Sequence, residues 1–186
     1  RFLDTKSKNY QANLINFLDS RRSGKNIDTT IVKRILKDVK VNKNKALLKY
    51  EKKFSNNNSI KIGDNELKAS IKSLDRRIKQ SIDLAYDRIF NFHKKQQRKN
   101  IYYKDKYDNK LVYKYIPLQS VGIYVPANLP STLLMNSIPA KIAGVKRIVL
   151  ANPKLNGKLN PAVLYAAHKV GINEIYSMGG AQAIAS

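Results

Sequence analysis

Two short stretches of the sequence combine residue types that suit a ligand-binding turn. In GIYVPANLPST, Tyr124 stands near the end of an apolar run, where its ring can stack on a flat ligand while its hydroxyl forms hydrogen bonds. In MGGAQAIA, Gly179 and Gly180 permit close backbone approach, and the amide of Gln182 can both donate and accept. Each stretch also has an ordinary interpretation. Tyr124 can be interpreted as a partly buried sheet tyrosine, and the glycine stretch as a plain strand-to-helix turn. The glycine pair does not match the G-x-G-x-x-G fingerprint.

The residues around both stretches predict strands and helices in alternation. Apolar runs over residues 121–125 and 148–151 and the stretch NEIYS predict three strands. The segments between them, STLLMNSIPAKIAGV and NPAVLYAAHKVG, predict helices that end near Gly144 and Gly171, and Pro139 is expected to kink the first helix or begin a new turn. This alternation predicts right-handed βαβ units and a parallel sheet, in which ligands bind beyond the carboxyl ends of the strands. Both candidate stretches stand at such ends.

Upstream of this region the apolar residues recur at helical spacing. The pattern predicts helices over residues 7–20, 28–41, 46–54 and from Asp64 to about Arg98. Ser7 is a candidate cap for the first helix. The apolar stripes predict core positions at Tyr10, Leu14, Phe17, Leu18, Ile31, Val32, Ile35, Leu36, Val39, Leu47, Tyr50, Phe54, Leu67, Ile71, Leu74, Ile78, Ile82, Ile89 and Phe92. The following stretch, IYYKDKYDNKLVYKYIPL, alternates apolar and charged residues around a DN turn and predicts a β-hairpin.

The composition excludes several kinds of chemistry. The chain has no cysteine, which rules out disulfides and thiolate chemistry, and its two histidines, His93 and His168, have no ligand spacing around them. A metal site built by this chain alone is therefore not expected. No window approaches the roughly 18 consecutive apolar residues of a membrane span, so a soluble, cytoplasmic protein without a membrane partner is expected. Neither a nucleophile elbow nor a Walker loop occurs.

The formal net charge of +23 raises the alternative of a basic module that binds nucleic acid. The lysines are scattered through residues 33–114 at helix-surface positions, and the densest run, HKKQQRK, is short. This distribution favours solvated helix faces over a specific nucleic-acid site. The chain begins with Arg1 rather than Met, and its last predicted helix has no stop signal, so a fragment of a longer protein is expected.

Three runs carry a resemblance to a known family: PLQSVGIYVP, PSTLLMNSIPAKIAGVKRIVL and NPAVLYAAHKVGINEIYSMGGAQAIA. They resemble the amino-terminal half of histidinol dehydrogenase, and RIFNFHKKQ matches that family's Phe-His-x-x-Gln. The resemblance extends more loosely through ALLKYEKKF and the early helices. It implies an α/β fold with an amino-terminal helical region followed by βαβ units of an incomplete, Rossmann-like parallel sheet. We place the predicted boundary between residues 1–118, the helical segment with its hairpin, and residues 119–186, the incomplete dinucleotide-binding domain.

The resemblance implies a four-electron oxidation of L-histidinol to L-histidine through histidinal, with reduction of two NAD and with zinc binding the substrate. The family's NAD contacts carry over to Tyr124 and Gln182, which match residue for residue. Its Glu-His acid/base pair, its zinc ligands and a further NAD-contacting Asn fall beyond Ser186. No catalytic residue and no metal ligand are therefore assigned here. A homodimer of the whole protein is also implied.

One departure from the family concerns the loop after Tyr124. Where the family commonly has Val-Pro-Gly-Gly and a longer loop, this chain has VPANLPST, which we interpret as a lineage variant because loops tolerate such changes. Two alternatives stay open beside the nucleic-acid module. One is a related zinc- and NAD-dependent dehydrogenase for another small alcohol, and the other is an interaction module without a catalytic half.

Overall fold

The chain divides into two compact units, residues 1–34 and residues 35–186. The computed structural model describes residues 3–22, 29–155 and 157–186. This division does not fall at residue 118, because the helices of residues 64–94 pack in the same unit as the parallel sheet. The boundary between residues 1–118 and 119–186 stays a prediction.

The first unit contains helix α1, Tyr10–Arg22, and the start of α2, Thr30–Asn42. The structure begins α1 at Tyr10, and the Asn13 N–H donates to the Asn9 carbonyl at 2.9 Å, so Asn9 holds the cap position and the prediction of Ser7 as the cap is wrong. None of the predicted core positions of this unit is buried, and Leu18, Ile31 and Val32 are exposed. The helix predicted from residue 28 starts at a position outside the described residues.

The second unit opens with the rest of α2 and three further helices, α3 over Asn44–Ser55, α4 over Asp64–Ser73 and α5 over Arg76–Lys94. The prediction of one helical region from Asp64 to Arg98 is wrong at its middle, because Asp75 accepts from the N–H groups of Arg77 (2.7 Å) and Ile78 (3.4 Å) and starts a new helix. The predicted stripes are only partly buried. The predicted core positions that are exposed in these helices are Leu36, Phe54, Ile78 and Phe92.

The predicted hairpin is confirmed. Strand β1, Ile101–Lys104, pairs antiparallel with β2, Lys110–Tyr113. The Asp105 carboxylate closes the turn by accepting from the N–H groups of Tyr107 (2.8 Å) and Asn109 (2.9 Å). The Asn109 side-chain amide also donates to the other carboxylate oxygen at 2.9 Å, and this bond, together with the two N–H bonds, holds the pKa of Asp105 below its ordinary value.

The predicted parallel sheet is also confirmed. Its strands lie in the order β3, Ser120–Tyr124, then β4, Arg147–Ala151, then β5, Glu174–Tyr176. Helices α6, Pro130–Ile142, and α7, Pro161–Val170, connect them, and α8, Gly180–Ile184, follows β5. Helix α6 runs through Pro139 without ending, and Gly144 and Gly171 adopt positive φ just beyond the ends of α6 and α7.

Alternate residues of the strands make two different faces. The covered face consists of Val121, Ile123, Ile148, Leu150 and Ile175, which pack with α4, α5, α6 and α7 in the main hydrophobic cluster. The open face consists of Ser120, Gly122, Tyr124, Arg147, Val149, Ala151, Glu174 and Tyr176. A second cluster joins α2, α3 and α8 to the end of this open face through Ile35, Leu47, Ala151 and Ala183. The main hydrophobic cluster therefore lies on one side of the sheet, and the other side is covered at its carboxyl end by the second cluster.

Candidate functional site

The carboxyl ends of the three strands are held together by one buried residue, Asn152. Its amide nitrogen donates to the carbonyl oxygens of Val125 (3.0 Å) and Pro126 (3.2 Å), while its backbone N–H donates to the carbonyl of Tyr176 (2.9 Å). The loop after β3 and the end of β5 are thus fixed to the same residue after β4. Asn152 is not among the residues predicted for the site, although an asparagine directly after a strand and before Pro153 is a signal for such a turn.

The far side of β5 is closed by the segment between α3 and α4. The N–H of Ile62 donates to the carbonyl of Ile175 (3.0 Å), and Lys61 forms an antiparallel bridge with Tyr176. The buried Asn57 amide also donates to the carbonyl of Ser177 (2.6 Å). These bonds fix the path of the chain from β5 into the glycine turn. The other edge of the described sheet is β3, which ends at Tyr124.

A cleft of about 610 Å³ lies along the open face. Its size falls within the range of sites that hold a small molecule or part of a cofactor. The residues that line it are Asn44, Leu47, Ile60, Ser120, Val121, Gly122, Ile123, Tyr124, Arg147, Val149, Ala151, Tyr176, Met178, Ala183, Ile184 and Ser186. Tyr124 is 38% exposed at the carboxyl end of this cleft, so its ring and hydroxyl are available to a ligand.

The turn between β5 and α8 requires both of its glycines. A Cβ at Gly179 would lie 2.8 Å from the Pro153 Cβ and 3.7 Å from the Tyr124 hydroxyl. Gly180 has a φ of +66°, and a Cβ there would lie 2.9 Å from the Gln182 side-chain oxygen. The Tyr124 hydroxyl therefore approaches the turn at Gly179, and the Gln182 amide covers it at Gly180. The structure brings the two predicted contacts to one turn, although Gln182 does not line the cleft.

Gln182 is only 3% exposed and is bound to a glutamate that the sequence analysis did not find. Its Nε2 donates to Oε1 of Glu51 at 2.8 Å, and the backbone N–H of Gly179 donates to the same oxygen at 2.9 Å. Nothing in the lysine-rich stretch ALLKYEKKF distinguishes Glu51 from a solvated helix residue. The Gly179 N–H is thus already bonded to a carboxylate, and a phosphate placed there would meet a like charge.

The amino end of the open face carries an ion pair. Arg147 donates from Nε and Nη2 to the two carboxylate oxygens of Glu174, each at 2.7 Å. This bidentate pair holds the pKa of Glu174 below its usual value and raises the pKa of Arg147 further. The charges at this end are therefore paired with each other, whereas the uncharged Tyr124 stands at the carboxyl end.

The described residues do not make a metal centre. Across residues 3–22, 29–155 and 157–186, no group of three His, Cys, Asp or Glu side chains could hold a metal ion. His93 is bonded through Nδ1 to Oε1 of Gln96 at 2.7 Å, and His168 is exposed on α7. Over the same described ranges, no helix has the length and apolar character needed to span a membrane.

The fold and the site define an α/β protein whose candidate ligand site lies at the carboxyl edge of a parallel sheet. The family model for histidinol dehydrogenase matches residues 19–186. Histidinol dehydrogenase of Pelagibacter ubique is 51% identical over the whole of this chain, and that of Agrobacterium fabrum is 35% identical over the whole of it. The crystal structure of histidinol dehydrogenase from Elizabethkingia anophelis superposes with a TM-score of 0.81 at 36% identity, over 87% of this chain and 39% of that one.

The chain belongs to the histidinol dehydrogenase family. It spans 44% of the length of the Pelagibacter ubique and Agrobacterium fabrum relatives. The expected resemblance is therefore confirmed as family membership, together with the α/β fold and its small parallel sheet.

Proposed function

We propose that this chain supplies part of the NAD site of a histidinol dehydrogenase. In this proposal the full gene product oxidises L-histidinol to L-histidine through histidinal in histidine biosynthesis, and reduces two NAD. Membership of the family supports the reaction, since the Pelagibacter ubique and Agrobacterium fabrum relatives, which match this chain along its whole length, are both named histidinol dehydrogenase. The observation that carries the role of this chain is the position of Tyr124 and Gln182 around one glycine turn at the carboxyl edge of the sheet.

The side chains at this turn suit the uncharged parts of a dinucleotide. Tyr124 offers an exposed ring for stacking and a hydroxyl next to Gly179, and Gln182 offers an amide oxygen next to Gly180. The Gly179 N–H is bonded to Glu51, so the pyrophosphate would have to rest elsewhere. When bound, NAD accepts the hydride that leaves the alcohol carbon. The chain's own task is to bind and orient that acceptor.

We also propose that the full gene product uses zinc to bind the substrate, and this part of the proposal rests on the family resemblance alone. The described residues do not fit a zinc centre, since no set of three ligating side chains comes together among them. We therefore assign no step of the reaction to a metal bound by these residues. The homodimer, the cytoplasmic location and the lack of a specific nucleic-acid partner likewise stay predictions.

The test is turnover by the full gene product that contains these residues. The purified protein is supplied with zinc, L-histidinol and NAD, and the formation of NADH and histidine is followed together. We expect two molecules of NADH for each molecule of histidinol consumed. An absence of turnover would overturn the proposal, and turnover of another small alcohol in place of histidinol would favour the related-dehydrogenase alternative. Binding to oligonucleotides that survives near-physiological salt would favour the nucleic-acid alternative.

A further inference from the structure

Glu51 is a buried carboxylate at the candidate NAD site. It lies in α3, is 1% exposed, and has no ion-pair partner among the lysines, arginines and histidines that the structure describes. Burying a carboxylate is costly unless hydrogen-bond donors replace the lost water. The Gly179 N–H and the Gln182 amide nitrogen supply two such donors to one of its oxygens, at 2.9 Å and 2.8 Å.

This contact determines which way the Gln182 amide points. A carboxylate oxygen that already accepts from the Gly179 N–H can only accept again, so the side-chain NH₂ of Gln182 must face Glu51. The amide oxygen must then face the opposite way, over Gly180. Within the described residues no group donates to that oxygen, so it remains as a free acceptor beside the turn.

We propose that Glu51 is a positioning residue for the dinucleotide site, holding the Gln182 amide so that its oxygen is the atom presented to the ligand. That oxygen then accepts from a donor of NAD, a ribose hydroxyl or a carboxamide N–H. The inference rests on the proposed function, since it assumes that NAD is the ligand and that Gln182 contacts it. Glu51 itself does not touch the cofactor.

A purely structural role for Glu51 would be the attachment of α8 to α3. The two helices already share apolar contacts, with Leu47 and Ala183 in one buried cluster. The two roles differ in whether Glu51 acts through Gln182. If Glu51 acts only through Gln182, replacing Glu51 has no further effect on NAD binding once Gln182 is removed. If Glu51 supports the site in another way, its replacement still weakens NAD binding in the absence of Gln182.

The experiment is a double-mutant cycle on the full gene product, with the NAD dissociation constant measured by calorimetry. The variants are Glu51→Ala, Gln182→Ala, their combination and the conservative Glu51→Gln. We expect each alanine variant to weaken NAD binding by about tenfold, and the combination to be within about twofold of Gln182→Ala alone. Glu51→Gln should stay within about threefold of the unmodified protein, because its amide oxygen still accepts from both donors.

The outcomes separate this inference from the proposed function. If the unmodified protein does not bind NAD, or Gln182→Ala leaves binding unchanged, the proposed site fails and the inference fails with it. Two outcomes would overturn only the inference. In the first, Gln182→Ala weakens NAD binding but Glu51→Ala does not. In the second, Glu51→Ala weakens NAD binding by the same factor whether or not Gln182 is present. Melting temperatures check that all variants fold. If Glu51→Ala does not fold, Glu51→Leu, which fills the space without an acceptor, takes its place in the same cycle.

Discussion

The covered and open faces of the parallel sheet are built by alternate residues of the same three strands. On the covered face Leu150 is fully buried beneath the helices, and Ile123 and Ile175 lie beside it. On the open face Tyr124 borders a cleft, and the charges of Arg147 and Glu174 are exposed at its other end. Because side chains alternate along a strand, neighbouring residues point to opposite faces, and only at the β3 edge do covered-face residues, Val121 and Ile123, also touch the cleft. Substitutions at adjacent positions should therefore separate stability from ligand binding.

The largest expected effect is on the covered face. Leu150→Ala should lower the free energy of unfolding of the full gene product by about 2–5 kcal/mol, because it leaves a cavity under α6 and α7. The matched variant Val149→Ala, one residue away on the open face, should cost about 1 kcal/mol or less. Urea denaturation measures both. A loss at Val149 as large as that at Leu150 would show that the open face is covered in the full gene product.

The next effect concerns the glycine turn at the end of the open face. Gly180→Ala should lower the free energy of unfolding by about 1–3 kcal/mol, since its φ of +66° is strained for alanine and its Cβ would lie 2.9 Å from the Gln182 oxygen. Gly122→Ala, with nothing within 4 Å of the added Cβ, serves as the matched control and should change stability little. Thermal unfolding measures both variants. Equal losses would contradict the difference between the strained turn and the open strand.

A smaller effect is expected on ligand binding alone. Tyr124→Ala should raise the NAD dissociation constant of the full gene product about tenfold, or 1–2 kcal/mol, because it removes the exposed ring and hydroxyl at the cleft. Tyr124→Phe keeps the ring, so its NAD dissociation constant should lie between those of the unmodified protein and Tyr124→Ala. Both variants should unfold at nearly the same temperature as the unmodified protein. An unchanged affinity in Tyr124→Ala would contradict its role as a cofactor contact.

The smallest effect belongs to the ion pair at the other end of the open face. The bond to Arg147 lowers the folded-state pKa of Glu174 below its unfolded value, so the pair stabilises the fold above about pH 4.5. That contribution is lost as the pH falls through the lowered pKa. Glu174→Gln should therefore be less stable than the unmodified protein at neutral pH, with a difference in melting temperature that narrows in acid. A difference that is independent of pH would contradict the ion pair as its cause.

The sequence predicted the elements of the sheet better than those of the helical segment. After residue 119, Pro161 marks the start of a helix and Gly144 and Gly171 mark the ends of two helices, because their backbone preferences act locally. The break at Asp75 was missed because the apolar stripe continues across it, from Leu74 to Ile78. The stripe also overstated burial, since periodicity identifies a helix face but not whether another element covers it.

The candidate site divides in the same way. Tyr124 and Gln182 could be named from their motifs, because both stand in short, distinctive stretches at strand ends. Glu51 could not, because it stands in the middle of an ordinary charged helix. It meets Gln182 only through the packing of α3 against α8, at a separation of 131 residues in the chain.

The sequence by itself determined the α/β class, the parallel order of strand and helix, the turn at Gly179–Gly180 and the family. These depend on local backbone preferences, on periodicity and on motifs that are read along the chain. Only the tertiary structure decided which face of the sheet is covered and that the Gly179 N–H is bonded to a carboxylate. It also decided which atom of Gln182 remains free. Such features depend on contacts between residues far apart in sequence, and hydrogen-bond donors and acceptors find their partners only when those segments pack together.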